Sequence, residues 1–117
     1  MSQADATNPQ LTLDVEVQPL AIVVRCSGRL MVNTEDVLRT QVRSLITPGA
    51  RIVLDLTNVV YCDSLGLGAV ISLYVSSKSA GCRLELINLG QNVRKLFSVA
   101  HLLSLFEVAA DGCARIP

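Results

Sequence analysis

The chain has 117 residues, half of them hydrophobic, and its ten basic and ten acidic residues cancel to a net charge of zero. This length fits one ordinary domain, and the apolar fraction is enough for a core that needs no disulfides or metals. Because no stretch collects charges of one sign, the sequence lacks the electrostatic footprint of a nucleic-acid binder, and nucleic acid is not an expected partner.

The cysteines, the N-terminus and the most apolar window of the chain indicate the compartment. The cysteines are widely spaced without a C-x-x-C pair, and with a single histidine they predict neither a zinc site nor a bound cofactor. Free thiols in apolar contexts fit a reducing compartment, so we expect a cytoplasmic protein. The N-terminus lacks the pattern of a signal peptide, and the most apolar window, 65–75, is too short to insert into a membrane.

The first predicted elements are two strands joined by a tight turn. Residues 1–10 are polar and are interpreted as a disordered lead-in. "LTLDVEV" (11–17) alternates apolar and polar residues, which predicts a strand with one buried face. "LAIVVRCSG" (20–28) is a nearly continuous apolar run that predicts a more central strand, and we expect the two to form a hairpin.

Helices and strands alternate along the rest of the chain. Apolar positions at helical spacing predict an amphipathic helix over about 34–46, capped by Asn33 or Thr34. A short apolar run predicts a buried strand over 51–56, and a second helical pattern predicts a helix from Ser64 to 78. The remaining predicted elements are a strand at 83–87, a helix from about 91 and a short edge strand in "LFEV" at 105–108.

This order predicts the fold class. It indicates a single α/β domain over 11–110, with a mixed four- or five-stranded sheet, helices packed against it, and a flexible tail at 111–117. The strand at 51–56, the helix after it and the strand at 83–87 are expected to form a parallel βαβ unit. Sites in such units tend to lie where a strand ends and its helix begins.

The stretch "YCDSLGLG" (61–68) lies at that point of the predicted unit. Ser64 is predicted to be the N-cap of the second helix, and capping alone explains a serine there. The same helix N-terminus, flanked by Gly66 and Gly68, also offers N–H groups to an anion, so it is a place where a phosphate on Ser64 would be stabilised. Asp63 would add a like charge beside that phosphate, which favours eviction of a partner docked on a neutral surface.

Catalytic alternatives fit the same stretch less well. A nucleophile elbow needs a glycine two residues before the serine, and Cys62 stands there. His101 is the only candidate base, and its apolar surroundings favour a structural role. "GLGAV" lacks the third spaced glycine of a dinucleotide site. We therefore expect no enzymatic activity.

The D-S-x-G-L-G motif at 63–68, which follows an apolar strand, and the long segments on either side of it resemble the STAS domains, a family that includes the bacterial anti-sigma factor antagonists. "IVLDLTNVVYCDSLGLGAVISLY" is similar to the family's central segment, with its D-S-x-G-L-G motif after an apolar strand. "SGRLMVNTEDVLRTQV" resembles the segment from the second strand to the first helix, and "GCRLELINLGQNVRKLFSVAHLLSLFEV" resembles the family's ending.

The resemblance implies a function and a partner. In the family, the serine matched by Ser64 is phosphorylated by an anti-sigma factor with serine kinase activity, and a phosphatase resets it. The unphosphorylated domain binds the anti-sigma factor and the phosphorylated one does not, so transcription is regulated by partner switching. The implied partner-binding residues lie in two segments: Met31, Val32 and Asn33, then Asp63, Ser64, Leu65 and Gly66.

Two departures from the family pattern and two alternative functions accompany this resemblance. Leu65 stands where the family often has Ser or Thr, and Gly28-Arg29-Leu30-Met31 stands where it often has Gly-Glu-Leu-Asp. STAS domains are also accessory subunits of membrane lipid-transport ATPase complexes, in which this loop would dock without obligatory phosphorylation. A third possibility, a small-molecule or nucleotide sensor on the same fold, would have only the glycines as its motif.

Overall fold

The computed structural model of the protein describes residues 10–99, 107–108 and 114–115. Its four long strands are β1 (Leu11–Val17), β2 (Ile22–Leu30), β3 (Arg51–Cys62) and β4 (Arg83–Ile87). Two-residue strands follow as β5 (Glu107–Val108) and β6 (Ala114–Arg115). The helices of the described part are α1 (Glu35–Arg43), α2 (Ser64–Ala80) and α3 (Gln91–Val99).

The strands form one mixed sheet in the order β1-β2-β3-β4-β6-β5. β1 and β2 pair antiparallel as the predicted hairpin, and β2, β3 and β4 are mutually parallel. β6 runs antiparallel to β4 and to β5. The predicted single α/β domain with a mixed sheet is therefore confirmed. β6 lies in the stretch for which the sequence predicts a flexible tail, and the lead-in at 1–9 lies outside the described residues.

One apolar core holds the sheet and helices together. Leu54 and Leu84 in the central strands are fully buried, as are Leu38 in α1 and Leu73 in α2. Each such leucine contributes about 1.5–3 kcal/mol of transfer free energy on burial. Because α2 contacts α1, α3 and the strands β2, β3 and β4, its position is fixed on several sides. The N-terminus of α2 is thereby placed at the carboxyl ends of the central strands β2 and β3.

The ends of α2 follow from its sequence. The helix starts at Ser64 as predicted and ends at Ala80, two residues beyond the predicted end, and Gly81 follows it with a φ of 72°, the left-handed conformation of a helix C-cap. Gly81 accordingly donates its N–H to the carbonyls of Lys78 and Ser77. None of the helices that the structure describes is long and apolar enough to cross a membrane.

β1 is less buried than its alternating pattern predicts. Leu11 is buried and Leu13 is partly buried, but Val15 is 39% and Val17 76% exposed. β1 is an edge strand of the described sheet, and its second half lies beyond the apolar cluster that Leu11 joins. Period-two alternation marks one face of a strand, but it does not show how far along that face the core extends.

β3 is longer than predicted, because two register shifts let it continue beyond position 56. Arg25 pairs with Asp55, but Ser27 pairs with Asn58, and a second shift makes Arg29 the partner of Tyr61. Each shift adds one residue to β3, as in a β-bulge, which breaks the period-two pattern that defines a strand in the sequence. The extension carries β3 to Cys62, one residue before the start of α2.

A hydrogen-bonded carboxylate fixes the first of these bulges. Asp55 Oδ1 accepts hydrogen bonds from the N–H and hydroxyl of Thr57 and from Nδ2 of Asn88, at 3.1 Å, in the turn before α3. Burial raises the pKa of Asp55, but the bonds from Thr57 and Asn88 and the nearby charge of Arg25 outweigh it, and the net pKa lies below the ordinary 3.8.

This arrangement predicts a specific acid sensitivity. A carboxyl whose pKa is lowered by folding stabilises the protein above its unfolded pKa, and this contribution is lost as the pH falls through the folded pKa. We expect the Asp55→Asn variant to lose less unfolding free energy than the wild type between about pH 5 and pH 3. Urea unfolding across this range measures the difference, and parallel pH profiles would contradict the role of Asp55.

Candidate functional site

The candidate site lies where the parallel strands β2 and β3 end side by side. β2 leads into a loop at 31–34, and β3 leads through Asp63 into α2. Asp63 donates its backbone N–H to the carbonyl oxygen of Leu30 at 3.1 Å. The two segments that the sequence singled out, 31–33 and 63–66, are therefore neighbours. We refer to residues 31–33 and 63–66 together as the two-loop surface.

Asp63, and not Ser64, is the N-cap of α2. Its backbone is extended, and its Oδ1 accepts hydrogen bonds from the N–H groups of Leu65 at 3.0 Å and Gly66 at 2.9 Å. The prediction that Ser64 caps the helix is wrong, because Ser64 is already the first helical residue. Asp is as good a cap as Ser, and its negative charge is favoured at the positive end of the helix dipole.

The second oxygen of Asp63 ties the other loop to the helix. Asp63 Oδ2 accepts a hydrogen bond from the backbone N–H of Val32 at 3.2 Å. The 31–34 loop is further closed by buried Thr34, whose Oγ1 accepts from the N–H of Met31 at 2.9 Å and donates to the carbonyl of Arg29 at 2.7 Å. Asn33 has a φ of 76°, a left-handed conformation that asparagine tolerates better than most residues. One carboxylate thus joins both loops of the surface.

The hydroxyl of Ser64 is presented to solvent. Ser64 is exposed, and no hydrogen bond of its side chain is found among the described residues. The expectation that the helix N-terminus holds a phosphate needs correction, because Asp63 already occupies the N–H groups of Leu65 and Gly66. A phosphate on Ser64 would therefore add its charge beside Asp63 on the surface.

The other predicted site residues divide into exposed and packed positions. Leu65 is 49% and Val32 42% exposed, so both present apolar side chains on the two-loop surface, and Asn33 is also exposed. Met31 is partly buried. Gly66 is buried, and a Cβ there would overlap the carbonyl oxygen of Leu30 and lie 2.8 Å from its Cγ. Gly66 therefore acts by allowing α2 to approach β2 closely.

Three further residues of this region were not predicted as site residues. Val60 is 65% and Tyr61 47% exposed, and both line a groove with Arg29 and Met31. In the sequence, "VVYC" is indistinguishable from the continuation of a buried strand. Val60 is exposed by ordinary alternation after buried Val59, and the second bulge of β3, which has no signature of its own in the sequence, leaves Tyr61 exposed as well.

The cysteine next to the site is not a reactive nucleophile. Burial raises the pKa of the Cys62 thiol to about 11, and the charge of Asp63 adds to this. Burial likewise raises the pKa of Cys26 to about 12. Both thiols are thus protonated at neutral pH, when a thiolate would be needed for reaction. Within the described ranges, no group of three His, Cys, Asp or Glu residues could hold a metal ion.

Two loops that carry exposed apolar side chains and a hydroxyl, at the ends of parallel strands, are typical of a binding surface on an α/β domain. The sequence matches the STAS domain family over residues 12–111. The chain belongs to this family.

Individual relatives are similar over most of their length. The anti-sigma-B factor antagonist of Bacillus subtilis is 30% identical over 102 residues, which cover 87% of this chain and 94% of that protein. The structure of the anti-sigma factor antagonist SpoIIAA in its unphosphorylated form has 25% identity and a TM-score of 0.65, covering 78% of this chain and 82% of that one. Phosphorylated SpoIIAA from Bacillus shares the fold, with 24% identity and a TM-score of 0.62 over 78% of this chain and 85% of its own.

The two roles of Asp63 can be separated by substitution. Asp63→Ala removes the cap and the bond to Val32, and we expect a loss of about 1–3 kcal/mol in unfolding free energy. In Asp63→Asn, the side-chain oxygen can keep the cap, while the side-chain NH2 group faces the N–H of Val32 and cannot accept its hydrogen bond. We therefore expect faster hydrogen exchange of the Val32 backbone N–H, with a smaller loss of unfolding free energy than in Asp63→Ala. Ser64→Ala should change stability by less than about 0.5 kcal/mol. An equal loss in Ser64→Ala and Asp63→Ala would contradict the assignment of the cap.

Two helical glycines form a matched pair. Gly66→Ala forces α2 away from the backbone of Leu30, and we expect it to cost about 1–3 kcal/mol of stability. Gly68 has nothing within 4 Å of a Cβ position, so Gly68→Ala should stabilise the helix by about 0.5–1 kcal/mol. Thermal and urea unfolding of both variants test this difference. Similar effects at the two positions would show that close packing at Gly66 is unimportant.

Proposed function

We propose that the protein is an anti-sigma factor antagonist, a non-enzymatic binding module controlled by phosphorylation of Ser64. With Ser64 unphosphorylated, the two-loop surface binds a kinase-type anti-sigma factor, and phosphorylation releases it. Regulation of transcription by partner switching in the cytoplasm follows from this cycle, with a phosphatase to reset it. The relatives named anti-sigma factor antagonists support this proposal.

Exposed Ser64 is the observation on which this proposal depends. Its hydroxyl is at the surface, and the capping of α2 depends on Asp63 instead. A kinase can therefore modify Ser64 without removing a hydrogen bond on which the helix depends. SpoIIAA, which is known in unphosphorylated and phosphorylated forms, supports phosphorylation as the regulating event.

The surroundings of Ser64 explain how a phosphate would act. Unmodified, the surface presents Leu65 and Val32, which favour contact with an apolar partner surface. Phosphorylation adds roughly 1.5 to 2 negative charges next to the carboxylate of Asp63. Binding would then bury this charge against the partner, which costs free energy unless the partner supplies a counter-charge. Phosphorylation thus opposes binding without a change in fold.

A phosphorylation assay tests the identity of the switch. The tagged protein is used to capture its partners from its source cells, and we expect an anti-sigma factor with an ATP-binding kinase domain. Incubation of the protein with that factor and ATP, followed by mass spectrometry, should locate one phosphoryl group on Ser64. Ser64→Ala should abolish the modification, while Ser79→Ala, at the other end of α2, should leave it intact. A lipid-transport ATPase as the captured partner, or phosphate at another residue, would overturn the proposal.

A charge substitution tests the consequence for binding. Ser64→Asp should weaken binding of the anti-sigma factor by at least about tenfold, because it introduces a negative charge at the centre of the docking surface. Its unfolding free energy should stay close to that of the wild type, since an acid in the first turn of a helix is favourable. Titration calorimetry and urea unfolding measure the two effects separately. Unchanged affinity in a folded Ser64→Asp variant would contradict the switch.

A further inference from the structure

A groove next to the two-loop surface combines an exposed cation with apolar walls. The second bulge of β3 places Arg29 opposite Tyr61 in the register of the sheet. With Met31 and Val60, these residues line a groove of about 520 Å³. Val60 and Tyr61 are among the large hydrophobic residues that are exposed to solvent. Clusters of exposed apolar side chains on a folded domain mark interaction surfaces.

Arg29 is exposed, and it has no acidic partner within the described part of the chain. Asp63, at the start of the neighbouring loop, already accepts hydrogen bonds from three backbone N–H groups. Other arginines do form ion pairs with carboxylates: Arg25, Arg39, Arg51 and Arg83. Arg29 is therefore available to another molecule. Its guanidinium can bind a carboxylate through two parallel hydrogen bonds.

The groove and the Ser64 loop belong to one continuous surface. Met31 lines the groove, and the next residue, Val32, donates its N–H to Asp63. Ser64 and exposed Leu65 follow directly after Asp63 in the chain. A partner that covers Ser64 and Leu65 can therefore extend into the groove without a break in the contact.

We propose that this groove binds an acidic side chain flanked by an apolar one on the anti-sigma factor, with Arg29 as a specificity-determining residue. This inference rests on the proposed function and names the chemistry of its partner. The carboxylate pairs with Arg29, and the apolar group packs on Val60 and Tyr61. A phosphate on Ser64 carries the same sign as that carboxylate, so the like charges oppose binding of this partner.

Charge reversal at Arg29 tests the inference with the captured anti-sigma factor as the probe. Arg29→Glu should weaken binding by at least about tenfold at low salt, and Arg29→Gln by less, because it removes the attraction without adding repulsion. The affinity of the wild type should fall as salt rises, and that of Arg29→Gln should fall less steeply. Lys78→Glu makes the same change in net charge about 21 Å along α2 from Ser64, and it should bind like the wild type.

The outcomes separate this inference from the proposed function. If the wild type binds, Ser64→Asp does not, and Arg29→Glu binds like the wild type, then the inference is wrong and the phosphorylation switch stands. Equal weakening by Arg29→Glu and Lys78→Glu would also overturn it, since only net charge would then matter. Failure of the unphosphorylated wild type to bind the anti-sigma factor would overturn both. Circular dichroism checks that each variant is folded. A charge swap tests the pairing directly: Arg29→Glu should regain binding to an anti-sigma factor in which the paired carboxylate is changed to lysine.

Discussion

The candidate site depends on the carboxylate of Asp63, which bonds to two separate parts of the backbone. One oxygen caps α2 through Leu65 and Gly66, and the other holds the 31–34 loop through Val32. A neutral cap such as serine has a single oxygen and would not span both. The geometry of the surface therefore depends on an acid at this position. The side chain of the neighbouring Ser64 makes no hydrogen bond among the described residues. Asp63 thus makes the hydrogen bonds that shape the surface, while the adjacent Ser64 is exposed on it.

Close packing complements these hydrogen bonds. The absence of a side chain at Gly66 lets the first turn of α2 lie on the backbone of Leu30. The backbone N–H of Asp63 bonds to the same residue. Hydrogen bonds and van der Waals contact thus fix the start of α2 against the end of β2. A rigid surface of this kind loses little conformational entropy when a partner binds, which favours affinity.

Much of the fold follows from local pattern, and most of the errors follow from non-local geometry. The hairpin and the start of α2 at Ser64 are readable, and the predicted end of this helix at 78 lies two residues from the observed end at Ala80, because periodicity acts over a few residues. The cap could not be assigned, since Asp63 and Ser64 are equally good capping residues and only the backbone decides between them. The exposure of Tyr61 beside exposed Val60 needs the second bulge of β3, which arises from pairing with a strand some thirty positions away. His101 lies outside the described residues, so its expected structural role stays a prediction.

The bond from Val32 to Asp63 uses the main chain and leaves the side chain at position 32 without a role in it. Any residue except proline can supply that N–H group, so this position can mutate without loosening the connection between the loops. Evolution can therefore vary the chemical character of the surface while its shape is inherited unchanged.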